Sequence, residues 1–118
     1  MKTTIIIILS LFLFSGCAAR ISQSNLYWGN YSHTLYNVKK EPGEKSNKAH
    51  QEELLSIIDK STANNLRVPP GIYAELGVLA KERGDNNAAS NYFRLEQNTY
   101  SEGSVLMKRA ISNNPSDS

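Results

Sequence analysis

The chain is expected to fold as an all-α body of about five helices packed as antiparallel pairs. Three observations predict this. After residue 25 no run alternates apolar with polar side chains, the pattern of a half-buried strand; instead apolar residues recur at helical spacing. Stop and start signals such as Val68-Pro69-Pro70-Gly71 and Gly84-Asp85 divide that pattern into short segments. With 118 residues, the chain has room for one domain of usual size.

Taken in chain order, residues 26 to 38 read as a first helix, with Trp28, Tyr31 and Leu35 at i, i+3, i+7 spacing. Tyr27, Trp28, Tyr31 and Tyr36 form an aromatic cluster whose volume a small helical core needs, so most of it is expected inside. Any member left outside is a candidate anchor for a partner. Lys39 to Lys45 mixes both charge signs and reads as a solvated connection rather than an anionic-lipid patch. Ser46 or Asn47 is expected to cap a second helix reaching Thr62, burying Leu54, Leu55, Ile57 and Ile58, with Asn64-Asn65 at its exit.

The clearest helix spans Ile72 to Arg83. Ile72, Tyr73, Leu76, Leu79 and Ala80 share one face, Glu75 lies in the first turn, and Lys81 and Arg83 in the last, matching the helix dipole. Gly84 offers the left-handed residue that ends a helix, and Asp85 an N-cap for the next, over 86–98, with Ala88, Ala89, Tyr92, Phe93 and Leu95 as its stripe. A last helix, about Glu102 to Ser112, carries Val105, Leu106, Ala110 and Ile111.

Residues 1–16 have the features of an export signal: Lys2, then an apolar run from Ile5 to Phe14, then Ser15-Gly16. The run is too short to span a bilayer, which takes about 20 residues. The chain's one cysteine, Cys17, follows directly. Leu13-Phe14-Ser15-Gly16-Cys17 resembles the lipobox of bacterial lipoproteins, although Phe14 stands where Leu is usual. That resemblance implies acylation of the Cys17 thiol and cleavage before it. Ala18, in place of the Asp that retains such proteins in the inner membrane, implies the outer membrane, facing the periplasm. Residues 17–25 would then be the lipidated cysteine and a tether, 26–112 the helical domain, and 113–118 a disordered tail.

Tyr73, Leu76-Gly77, Gly84-Asp85, Ala89 and Phe93 stand in the spacing of one tetratricopeptide repeat, which the region resembles. Small Gly77 and Ala89 would let paired helices approach closely. Ala80, Glu96 and Ser101 depart from that pattern. If the repeat alignment extends to residues 26–62, one groove would present His33, Tyr36 and Asn37 beside Ala74, Val78 and Lys81, the candidate partner-binding residues. Tyr27-Trp28-Gly29-Asn30-Tyr31, then Val68-Pro69-Pro70-Gly71 with Tyr73-Ala74-Glu75-Leu76-Gly77, and Tyr100-Ser101-Glu102-Gly103-Ser104 look like the lipoprotein family termed domain of unknown function 4810. That resemblance implies an envelope lipoprotein accessory to export or assembly, such as curli-type secretion, and supplies no catalytic residues.

Composition narrows the chemistry. Thirteen Lys and Arg against 11 Asp and Glu leave a net charge of +2, far from the basic footprint of a nucleic-acid binder. One cysteine excludes an intramolecular disulfide and a multi-cysteine zinc site. His33 and His50 lack a third ligand at metal spacing, Glu52 and Glu53 diverge on a helix, and there is no phosphate loop or Gly-x-Ser-x-Gly elbow. Both histidines are read as ordinary surface or partly buried residues. The sequence therefore predicts a non-enzymatic scaffold without cofactor, held to the membrane through Cys17 and binding an envelope protein. A small-ligand or envelope-polymer binder that uses the aromatic cluster is the alternative.

Overall fold

A computed structural model describes residues 25–113. The expected export signal, Cys17, all of the tether before Asn25, and the tail beyond Asn113 lie outside the described residues. Every regular element described is helical: α1 (Tyr31–Lys40), α2 (Glu44–Ala63), α3 (Ile72–Glu82), α4 (Asn86–Thr99), a 3₁₀ turn (Ser101–Gly103) and α5 (Ser104–Ser112). α1 packs on α2 and α3 on α4, with α5 laid against α4.

Local chemistry sets the boundaries. α2 and α3 both end in the same hydrogen-bonded cap. Leu66 N–H reaches Ser61 O at 2.8 Å and Asn65 N–H reaches Thr62 O at 3.1 Å; Asp85 N–H reaches Ala80 O and Gly84 N–H reaches Lys81 O, both at 2.9 Å. That pairing needs a left-handed residue just past the helix, supplied by Asn65 (φ 53°) and Gly84 (φ 80°). Asp85 caps α4 as expected, its Oδ1 accepting from Ala88 N–H at 3.0 Å.

Four boundaries differ from the sequence expectation by more than one residue. The first helix starts at Tyr31, because Gly29 takes a left-handed φ of 48° and the Asn30 N–H is held by Glu53 Oε1 at 2.8 Å. It continues through Lys39 and Lys40, so both lysines belong to α1 rather than to the loop. α2 starts at Glu44, ahead of Ser46: the Ser46 hydroxyl donates backward to Glu41 O (2.8 Å) and Gly43 O (3.0 Å) instead of accepting an N–H. The last helix is delayed by the 3₁₀ turn to Ser104.

Two apolar clusters hold the body. Leu54 and Ile57 of α2 meet Val68 and Ile72 and Leu76 of α3, with Tyr27, Tyr31, Ile58, Tyr73 and Leu79 around them. Ala80, Ala89, Phe93 and Met107 form the second, joining α3, α4 and α5, and Tyr92 packs against both. Gly77 allows the α3–α4 approach, since a Cβ there would stand 2.5 Å from Phe93 Cε1.

The aromatic cluster is less interior than expected. Tyr27 and Tyr31 pack on the first core, but Trp28 keeps 41% of its surface exposed and Tyr36 59%. The late start of α1 explains Trp28, which precedes the helix and stands edge-on to Tyr31 with ring centres 5.6 Å apart. Tyr36 lies five residues after Tyr31, about 140° around the helix, so it points away when Tyr31 points in.

Candidate functional site

α1 carries three of the six candidate partner-binding residues. His33 and Tyr36 are exposed and Asn37 is half-buried, its Nδ2 lying 3.2 Å from His33 Nε2 four residues earlier. On α3, Val78 is 48% exposed, whereas Ala74 packs with the Phe93–Met107 cluster. Lys81 donates to Asn113 O at 3.1 Å, just past α5. Lys81 is thereby tied to the residue just past α5, and the two trios sit on different helices.

Between the trios lies a polar network that the sequence reading missed. His50, 3% exposed, places Nδ1 2.7 Å from Thr34 Oγ1 on α1 and Nε2 2.8 Å from Glu75 Oε1 on α3. The Tyr31 hydroxyl donates to Glu75 Oε2 at 3.0 Å, and its ring centre stands 5.5 Å from that of His50. Burial, then the bond to Glu75 and that carboxylate's charge, push the Tyr31 phenol up to about 12.

The network is satisfied whichever form the ring takes. With Nε2–H donating to Glu75, a neutral ring accepts the Thr34 O–H at Nδ1. In the imidazolium both ring nitrogens donate, and the Thr34 O–H turns to Tyr31 O, 3.1 Å away. A buried polar chain of this kind fixes the relative position of α1, α2 and α3. The signal was present in the sequence: His50, Leu54, Ile57 and Ser61 are the buried residues of α2, spaced 4, 3 and 4 apart. His50 simply continues the apolar stripe toward the N-terminus.

Glu96, one departure from the repeat pattern, is buried, and its Oε1 accepts from Gly71 N–H at 2.7 Å. Tyr100, also buried, donates to Val68 O at 2.7 Å and stacks under the Arg67 guanidinium, 4.3 Å from its ring centre. These two side chains fasten the Pro-rich turn ahead of α3 to the end of α4.

A cleft of about 410 Å³ lies beside α1, lined by Thr34, Asn37, Glu41, Ser46 and Ala49 among others. Among the described residues no group of three His, Cys, Asp or Glu side chains is placed to hold a metal ion. No described helix is long and apolar enough to cross a membrane.

The family model described as domain of unknown function (DUF4810) matches residues 26–109. The chain belongs to that family. The match takes in Trp28 at its start, the whole His50 network, both apolar clusters and most of α5. Neither the curated proteins nor the solved structures give a match.

Proposed function

We propose that this DUF4810 protein is a bacterial lipoprotein, anchored through acylated Cys17 in the outer membrane and facing the periplasm. Its helical body acts as a non-enzymatic scaffold or accessory factor in envelope assembly or secretion. The family resemblance suggests a curli-type secretion assembly as the setting. The observation that carries the scaffold reading is the exposure of apolar side chains on a body built of helix pairs: Val78 at 48%, Val105 at 72% and Leu106 at 64%. Large apolar side chains left in water beside a formed core are what a protein partner would cover.

The test is affinity purification of the full-length lipidated protein from mild-detergent membranes, with a Val78→Glu, Val105→Glu variant in parallel. A stoichiometric envelope protein that the variant loses supports the reading. A membrane extract in which both proteins come down alone overturns it. The anchor is tested separately, since Cys17→Ala must release the protein from the membrane fraction.

One observation favours a second reading, a small-ligand or envelope-polymer binder. The cleft beside α1 has the volume of a small-molecule site and polar lining from Thr34, Asn37 and Ser46. A ligand held there would raise the melting temperature in the presence of cell-wall fragments, while the partner-surface variant would leave that shift intact.

A further inference from the structure

We propose that the outward face of α1, with Trp28 at its N-terminal end, docks flat on an anionic lipid surface. The proposal rests on the reading of Cys17 as a lipid anchor and adds a second, non-covalent contact to it.

The face is built from one helix. At 100° per residue Ser32, His33, Tyr36, Lys39 and Lys40 fall within an arc of about 120°, and all five are exposed. Tyr31, Thr34, Leu35 and Val38 occupy the other side and are half-buried. Residues 25–40 contain two lysines and no Asp or Glu. Lys40 Nζ lies 6.0 Å from the Tyr36 ring centre, so cation and aromatic ring present together. Trp28, exposed at 41%, adds a second large ring where the chain enters the body. Exposed Trp, Tyr and Lys without acids is the composition that settles at the headgroup level of a bilayer, the rings among the headgroups and the ammonium groups at the phosphates.

Position selects lipid as the occupant. Asn25 is the eighth residue after Cys17, a span of at most about 26–29 Å when extended, and Trp28 follows three residues later. α1 is about 15 Å long, so an anchored Cys17 keeps the whole face within reach of the surface. Docking is then an intramolecular step at high effective concentration, and a face too weak to hold a free protein suffices. The cleft does not compete for it, since its α1 residues, Thr34 and Asn37, are both half-buried and lie outside this arc.

Trp28 is the chain's one tryptophan, which makes the test direct. The full-length lipidated protein is reconstituted into phosphatidylethanolamine–phosphatidylglycerol vesicles with plain or brominated acyl chains. Flotation reads the anchor; quenching of Trp28 emission by the brominated lipid reads the docked face. The expected result is flotation with quenching and a blue-shifted emission. Each lysine at an anionic surface is worth about fivefold in partitioning, so Lys39→Gln, Lys40→Gln lowers the docked-to-free ratio by roughly 25-fold. That variant should lose the quenching yet still float, with an unchanged circular dichroism spectrum.

A wild-type protein that floats while Trp28 stays unquenched by bromolipid and open to aqueous iodide overturns the docking and leaves the anchor standing. It would return the face to a protein partner. A protein that neither floats nor is quenched removes both readings.

Discussion

Replacing Gly77 by Ala tests the close approach of α3 and α4. In an exposed helix the change would stabilise by about 1 kcal/mol, because glycine is the worse helix former. Here the new Cβ would meet Phe93 Cε1 at 2.5 Å, Cδ1 at 2.7 Å and Cζ at 3.0 Å. Carbon atoms rest at about 3.5–4.0 Å, so ring or helix must retreat by roughly 1 Å. The ring has nowhere to go: Phe93 is 3% exposed and shares its cluster with Ala80 and Ala89, both fully buried, and with Met107. Overpacking of this kind costs about 1–3 kcal/mol, which exceeds the helix-propensity gain. The net loss of about 1 kcal/mol should lower Tm by roughly 4–8 °C in a domain of this size, followed by circular dichroism at 222 nm. A double-mutant cycle with Phe93→Leu attributes the loss. The smaller side chain makes room, so the combined variant should be more stable than the sum of the single effects by at least about 0.5 kcal/mol. A Gly77→Ala protein that melts at or above the parent, or a cycle that is simply additive, would refute the claim that Phe93 fills the space glycine leaves.

Two further predictions follow from single contacts. Asp85→Ala removes the acceptor of the Ala88 N–H and should lower stability to urea by about 1 kcal/mol, with Asp85→Asn retaining most of it; equal losses in both variants would point to charge rather than the cap. Tyr31 is held near 12 in the fold against an ordinary 10.0, so its neutral form is the one the fold prefers. That contribution is complete below pH 10 and is lost as pH rises through 10 to 12, and urea midpoints should fall more steeply there than in Tyr31→Phe. Parallel profiles for the two proteins would mean that neither burial nor the Glu75 bond favours the neutral phenol in the fold.

The helices were legible because their signals are local. Gly84-Asp85 and Asn64-Asn65 act through their own backbone bonds, and the stripe of Ile72, Leu76 and Ala80 needs no knowledge of its neighbour. Membership of the family was legible for a similar reason, since the Tyr73-to-Gly77 block and the Pro-rich turn before it are contiguous. What failed depended on distant partners. Glu53 sets where α1 begins by holding the Asn30 N–H from 23 residues away. His50 looks polar in a sequence and is interior only because Thr34 and Glu75 arrive from other helices to satisfy it. The tie between Lys81 and Asn113 O, 32 residues on, likewise has no local signal.

The distribution of buried residues makes α1 the least secured element, and this bears on the proposed docking at a lipid surface. α2, α3, α4 and α5 each contribute at least one buried residue; α1 contributes none. Its ties include two half-buried tyrosine rings, Tyr27 just ahead of it and Tyr31 within it, half-buried Leu35 and Val38, and the polar chain through Thr34, His50 and Glu75. An element held by few apolar contacts opens at lower free energy than the core it covers. Its amides should therefore exchange with solvent before those of α3 and α4. Because α1 is also the first described helix after Cys17, a load on an anchored chain reaches it before the other described helices. A lipid surface that covers Tyr36, Lys39 and Lys40 would add contacts where the fold supplies fewest, so exchange in α1 should slow on vesicles while that in α4 stays unchanged. If α1 exchanges as slowly as α4 in the absence of lipid, the polar chain around His50 is stronger than its half-buried setting implies. The membrane would then have nothing in that helix to stabilise.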